Sequence, residues 1–277
     1  MRGALNGRSQ RYSRAAPRGT GRTVYFLALA ADYDGTLALH GRVDRRTVAA
    51  LEQLKDAGRK LVLVTGRVLP ELEAIFPEMN LFDRVVAENG ALLFDPVTQK
   101  EQPLAPPPPE QFVERLKERK VQPLATGRVI VATWEPHEQT VLEVIRDLGL
   151  ELQIIFNKGA VMVLPAGVNK ATGLAAALED LKLSPHNTVG IGDAENDHAF
   201  LAACGAGAAV ANALPLVKEH ATVVLEGDHG AGVVELVGRM LEDDTKLVPS
   251  ERHALALGTY RDGTEAVIEP HHEVQHA

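Results

Sequence analysis

Cysteine is nearly absent: Cys204 stands alone in 277 residues. One thiol excludes an intrachain disulfide framework and a cysteine-based zinc site, and its Ala-rich setting reads as that of a small buried apolar group. Aromatics are also scarce, at 4%, and Trp134 is the single tryptophan. A surface built to stack sugars or bases is therefore not expected. No apolar run approaches the roughly 20 residues of a membrane-spanning helix. Surplus positive charge is missing as well. Residues 1–22 hold six arginines and no acid, which leaves −14 on the rest of a chain whose total is −8. Such a body lacks the excess Lys and Arg that contact a nucleic-acid backbone. It suits a site that gathers carboxylates around a cation, and the expectation is a cytoplasmic protein without nucleic-acid or membrane partners.

What is present is an alternation of short apolar runs with amphipathic segments. Residues 1–22 are rich in Arg, Gly and Ser and read as a disordered basic extension. A transit peptide and a secretory signal are the other readings of that stretch. From residue 23 onward, VYFLALAA, KLVLVT, TVGIG, GAAVA and TVVL read as buried strands, and RVVAENGALLF (84–94) as a strand that runs into a hairpin. The segments between them place apolar residues at helical spacing, as Val48, Leu51 and Leu54 do after the N-cap candidate Asp44. Buried strands alternating with helices imply a parallel sheet covered on both faces, an α/β Rossmann-like core. Between Leu93 and Pro165 the rhythm changes. After Pro106 to Pro109 come helices and strands in an α+β order, including two strands separated only by Lys158-Gly159, a hairpin signal. The expected organisation is a discontinuous core, 23–92 with 166–242, carrying an inserted cap at 93–165. Residues 243–277 read as a tail with a candidate hairpin around Asp262-Gly263 and scattered histidines.

Four pieces carry chemistry: DYDGT at 32–36, VTGR at 64–67, Lys170, and GDAEND at 192–197. Asp32, Thr65 and Asp193 each sit where a strand gives way to a loop. In an open parallel sheet those ends converge on one crevice, and Lys170 at the start of a helix reaches the same edge. Asp32 and Asp34 are two apart in an extended segment, so both side chains point the same way. Neighbouring carboxylates repel unless a cation or a proton intervenes. With Asp193 and Asp197 added, the rim calls for a hard, oxygen-loving ion, and Mg2+ suits a partial carboxylate shell completed by water and phosphate. Lys170 and the groups around Thr65 and Gly66 face the phosphate oxygens. The site reads as a phosphate clamp containing a carboxylate nucleophile.

These pieces, in this order, resemble the haloacid dehalogenase-like superfamily of phosphohydrolases, whose first motif D-x-D-G-T and fourth motif G-D-x-x-N-D match DYDGT and GDAEND. The insert between the second and third motifs, with GVNKATGL and ENGA, is similar to the Cof-like branch that includes sucrose-phosphate and other sugar-phosphate phosphatases. The resemblance implies Asp32 as nucleophile, Asp34 as general acid and base, and Mg2+ held by Asp32, the Asp34 carbonyl and Asp193. It also implies that Thr65 and Lys170 hold the phosphoryl group, with Asn196 and Asp197 orienting the lysine and the metal waters. The substrate implied is a small phosphorylated metabolite, with a sugar phosphate expected and phosphoglycolate an open alternative.

Further residues are weaker candidates. Arg67, Glu88 and Asn89 are candidate substrate contacts. Trp134 is expected to pack within the insert, with a place over the substrate as its other reading, and His198 to be an ordinary helix residue. A phosphomutase shares the aspartyl-phosphate and returns the phosphate to its sugar. A non-catalytic phospho-ligand sensor would have lost a catalytic carboxylate, and none is missing. A receiver-type module would need neither the insert nor Asp34. The sequence leaves the oligomeric state open.

Overall fold

The small and branched residues of ALAAD form β1 (Ala28–Asp32), and all five are buried. Such a strand packs on both faces and belongs at the centre of a sheet. In the computed structural model, which describes residues 24–249 together with the strands 255–259 and 265–268, that is its place. On one side of β1 lie β2 (Lys60–Val64), β3 (Arg84–Ala87), β4 (Leu92–Asp95) and β5 (Lys100–Pro103), in that order. On the other side lie β10 (Thr188–Gly192), β11 (Ala206–Ala209) and β12 (Val223–Val224). The strands from β12 across to β3 are parallel; β4 and β5 close one edge in antiparallel fashion. This is an α/β fold with a Rossmann-like parallel core. The sequence boundary at residue 93 is corrected here, because β4 and β5 hydrogen-bond into the large sheet.

Helix α1 (Arg45–Asp56) begins where Asp44 Oδ1 accepts from the backbone N–H groups of Arg46 and Thr47, at 2.7 and 2.8 Å. That cap satisfies two of the orphan donors of the first turn. The helix turns Thr47, Ala50, Leu51 and Leu54 inward, with Val48 only partly covered. Helices α2 (Leu69–Ile75), α5 (Lys170–Asp180), α6 (His198–Ala203), α7 (Pro215–His220) and α8 (His229–Asp243) complete the layers. The core continues past residue 242: Asp244, Leu247 and Val248 are buried against it, so the tail expected from 243 begins later. Strands Leu255–Thr259 and Glu265–Ile268 pair antiparallel, while the intervening Asp262-Gly263 and the histidines around them lie outside the described residues, as does the basic segment 1–22.

The inserted unit contains α3 (Glu110–Glu118), β6 (Ala125–Thr126), β7 (Val131–Trp134), α4 (Glu138–Asp147), β8 (Leu152–Asn157) and β9 (Ala160–Pro165). Its sheet is antiparallel, ordered β6-β7-β9-β8. One face is packed by Phe112, Leu116, Val141 and Val144 from the two helices against Val131, Val161 and Val163. The other face sets Ala132, Met162 and Leu164 against Ala91 and Val168 of the core side. Alternation along each strand thus gives the small sheet two apolar faces, one for its own helices and one for the large domain. Among the described residues no helix is long and apolar enough to cross a membrane.

Candidate active site

Strand register brings the first, second and fourth motifs to one edge. Asp32 closes β1 opposite Val64, so Thr65 follows beside it, and Asp193 follows Gly192 at the end of β10. Thr65 is fully buried; its Oγ1 accepts from the Arg67 N–H at 3.1 Å. Between Asp32 and Asp34, Tyr33 points the other way, into the core against Phe76 at 5.4 Å between ring centroids. Both carboxylates therefore open on one cleft, as two-residue spacing requires.

Lys170 is delivered by a capping box. Asn169 Oδ1 accepts from the N–H groups of Ala171 and Thr172, and Thr172 Oγ1 accepts from the Asn169 N–H. The lysine then occupies the first turn of α5, 1% exposed. A cation at a helix N-terminus opposes the helix dipole and is costly without partners. Lys170 Nζ has two, donating to Asp32 Oδ1 at 2.6 Å and to Asp197 Oδ1 at 2.5 Å. Burial works against its charge, but Asp197 and Asp32 more than offset that, and its ammonium is held above the ordinary lysine range. Asp197 Oδ2 accepts from the N–H groups of Asp193 and Ala194 at 2.8 and 2.9 Å. Both oxygens of Asp197 are thus engaged, which suits an orienting group better than an ion ligand.

Asp32, Asp193 and Asp197 bring one oxygen each within 4.8 Å of one another. Burial, with the Asp197 and Asp193 charges added, pushes the Asp32 carboxyl well above the ordinary carboxylate value against the pull of Lys170. Burial also raises Asp193, against the opposing pull of Lys158. Lys158, at the tip of the β8–β9 hairpin, donates to Asp193 Oδ2 at 2.7 Å and to the Asp34 carbonyl at 3.3 Å. A positive group therefore already bridges the two oxygens that, with Asp32, form an all-oxygen donor set. Hard donors, excess buried negative charge and an ammonium on the spot fit a hard divalent cation. Gly35 permits the arrangement: its φ is +92°, and a Cβ there would lie 2.4 Å from Asp193 Oδ2.

Asp34 is held by Arg67, which donates from Nε and Nη2 to its two oxygens at 2.6 and 2.7 Å. The cleft, about 340 Å³, is lined by Asp32, Asp34, Gly66 and Arg67 from the core and by Trp134, Lys158 and Met162 from the insert, among others. Trp134 is corrected from a packed residue to a half-exposed cleft wall, 52% exposed. Glu88 and Asn89, expected as substrate contacts, are buried away from the cleft lining. Glu88 receives backbone N–H groups of the insert, and Asn89 Oδ1 accepts from Asn196 Nδ2 at 3.0 Å. His198 lies edge to face on His220, on the outside of α6. Sequence reasoning missed Lys158. A lysine at a hairpin tip is ordinary, and only the folding of the insert onto the core gives it meaning.

The haloacid dehalogenase-like hydrolase family matches residues 29–129 and 135–237. A phosphoglycolate phosphatase of Methanothermobacter thermautotrophicus is 34% identical over 223 residues, covering 77% of this chain and 98% of that protein. Among solved structures, a haloacid dehalogenase-like hydrolase from Bacteroides thetaiotaomicron has a TM-score of 0.66 at 18% identity, over 78% of this chain and 99% of its own. A subclass IIB sugar phosphatase has a TM-score of 0.60 at 20% identity, over 77% and 97%. With its motifs meeting at one sheet edge and the match running through both parts of the core, this chain belongs to the haloacid dehalogenase-like hydrolases.

Proposed function

We propose that the chain removes phosphate from a small phosphorylated metabolite through an aspartyl-phosphate on Asp32. The observation that carries this reading is Lys170 Nζ lying between Asp32 and Asp197, at 2.6 and 2.5 Å, beside Asp193 and with Asp34 on the same cleft. The chain is a phosphoric monoester hydrolase of this family. An Asp32 oxygen attacks phosphorus, the bond to the leaving oxygen breaks, and Asp34 gives that oxygen its proton. A water then attacks the same phosphorus, passes its proton to Asp34, and the bond to Asp32 breaks, releasing inorganic phosphate. Lys170 and Thr65, both buried beside Asp32, hold the phosphoryl oxygens and offset their charge, and Gly66 lines the cleft where they bind. Asp197 and Asn196 hold their neighbours in place, Asp197 through Lys170 and two backbone N–H groups. Arg67 keeps Asp34 facing the cleft. Mg2+ held by Asp32, Asp193 and the Asp34 carbonyl would supply positive charge to the carboxylates and phosphoryl oxygens.

Phosphoglycolate is the first substrate to assay, because relatives matched over nearly their whole length carry that activity in their names. Arg67 and Lys158 add cations to the cleft, which favour an anionic leaving group. A sugar phosphate is the second reading, supported by the open ring of Trp134 on the cleft wall. Phosphate release with Mg2+ from phosphoglycolate, sugar phosphates and a wider metabolite panel tests the proposal. Release from none of them, or isomer formation in its place, overturns it.

A further inference from the structure

Glu88 is a buried carboxylate that the chemistry above does not use. It is 0% exposed and makes no salt bridge among the described residues; the guanidinium of Arg128 pairs with Glu101 and acts on Glu88 only at longer range. Its Oε1 accepts from the Arg128 N–H at 2.7 Å, and its Oε2 accepts from Val129 and Ile130 at 2.7 and 2.9 Å. Three consecutive amides of the insert thus converge on one side chain of the core. Backbone amides arranged in this way form an anion-binding concavity, here filled by the protein itself. Charge-assisted bonds of this kind are stronger than neutral ones.

The turn that carries Glu88 is strained. Glu88 and the next residue, Asn89, both adopt left-handed backbone, with φ of 53° and 54°. Two such non-glycine residues in succession persist only when their surroundings hold them. The Glu88 N–H donates to the Arg67 carbonyl and the Asn89 N–H to the Thr65 carbonyl, each at 2.9 Å. The Asn89 side chain receives Asn196. One three-residue turn therefore touches the second motif, the fourth motif and the insert.

We propose that Glu88 is a positioning residue that latches the inserted unit over the cleft, and that its turn ties this position to the phosphate-handling loops. The latch is reversible by construction. When the insert lifts, water solvates the carboxylate; when it closes, the three amides replace that water. Closure then sets the distance from Trp134 and Lys158 to whatever lies on Asp32.

Hydrogen exchange on the full-length protein reads the latch directly. Glu88→Gln keeps the size, removes the charge, and sets an NH2 donor against an amide donor. It should speed exchange of the Arg128, Val129 and Ile130 amides about tenfold or more while β1 stays protected. Gly127→Ala tests the other side, because a Cβ there would lie 2.3 Å from Glu88 Oε1. It should speed the same amides with the Glu88 carboxylate and the sequence of the strained turn both retained. With phosphoglycolate and para-nitrophenyl phosphate as probes, KM should rise roughly tenfold and kcat stay within about threefold. That kinetic arm alone rests on the proposed function. A wild-type protein inactive on both probes and on the rest of the panel would refute that function and leave the exchange arm to decide the latch. Unchanged exchange at 128–130 in both variants overturns the latch. So does loss of protection throughout the core, or a fall in kcat with KM unmoved.

Discussion

Arg67 grips Asp34 with both edges of its guanidinium, Nε to Oδ2 at 2.6 Å and Nη2 to Oδ1 at 2.7 Å. This fork-on-fork geometry fixes the plane of the carboxylate as well as its distance. The pair is partly open, so its value lies in aim more than in stability. Hydrogen bonding to Asp34 in turn holds the Arg67 guanidinium above its ordinary range. Arg67→Ala should lower kcat by about 10- to 100-fold, since an Asp34 misplaced by an ångström transfers its proton poorly. Arg67→Lys keeps the charge but offers one point of contact, and should fall between the two. Steady-state kinetics on the best substrate of the panel checks this, and a kcat within twofold of wild type in Arg67→Ala would remove Arg67 from the proton-transfer step.

Asp32 and Asp193 should display a conflict between function and stability. Burial raises both carboxyls in the folded protein above the usual carboxylate value of 3.8. Unfolded, each loses its proton near that value; folded, each keeps it to higher pH. The folded state therefore binds more protons across that window, and stability falls as pH rises through it. Metal-free Asp193→Asn should thus melt at or above the wild-type temperature at pH 7, and the difference should vanish near pH 4. Asp32→Asn should behave alike and lose nearly all turnover. Adding Mg2+ should raise the wild-type melting temperature at pH 7 and raise it far less in either variant. Melting curves across pH, with and without the ion, check this. Equal Mg2+ shifts in all three proteins would place the ion elsewhere.

Much of this arrangement was legible in the sequence. Asp32, Thr65, Lys170 and Asp193 are readable because each stands at a strand or helix end, and parallel topology sends those ends to one edge. Asp34 is readable from a two-residue spacing. What stayed hidden depends on contacts between distant segments with no local signature. Lys158 acquires its role only when a hairpin 124 residues from Asp34 folds over it. Glu88 reads as a loop acid beside the cleft, yet three amides of the insert claim it. Strands β4 and β5 follow the turn at 88–90 and resemble the start of the insert. Only their pairing onto β3 assigns them to the large sheet.

Lys158 should compete with the divalent ion for oxygens it already contacts. Its ammonium bridges Asp193 Oδ2 and the Asp34 carbonyl, and the Asp193 bond with its charge raises the Lys158 pKa against the effect of burial. An arriving cation repels it and must displace it. Lys158→Met keeps the stem and removes the charge, so Mg2+ or Mn2+ should bind it about two- to fivefold more tightly, the scale of a half-exposed ion pair. The same variant should bind an anionic substrate more weakly. Calorimetric titration of the ion alone separates the two effects. Weaker ion binding in Lys158→Met would show that the lysine assists the site.

Asp244 should prove the most sensitive acid for stability outside the cleft. It lies just beyond α8, 2% exposed, and its carboxylate reaches back to the start of the described chain. It accepts from the Tyr25 N–H, from the Phe26 N–H at 3.0 Å, and from Arg59 Nη2 at 3.2 Å. The last helix, the approach to β1 and the approach to β2 are thereby tied at one point. Asp244→Ala orphans two backbone donors and leaves Arg59, whose side chain is 9% exposed, without its counter-charge. Removing one partner of a buried pair costs about 3–5 kcal/mol, and urea unfolding should register a loss of that order. Much of the loss belongs to the stranded guanidinium. Pairing Asp244→Ala with Arg59→Met should therefore recover part of it. A single variant that unfolds at the wild-type urea midpoint would mean that water replaces the carboxylate at no cost, and that the end of α8 is not fastened to β1 through Asp244.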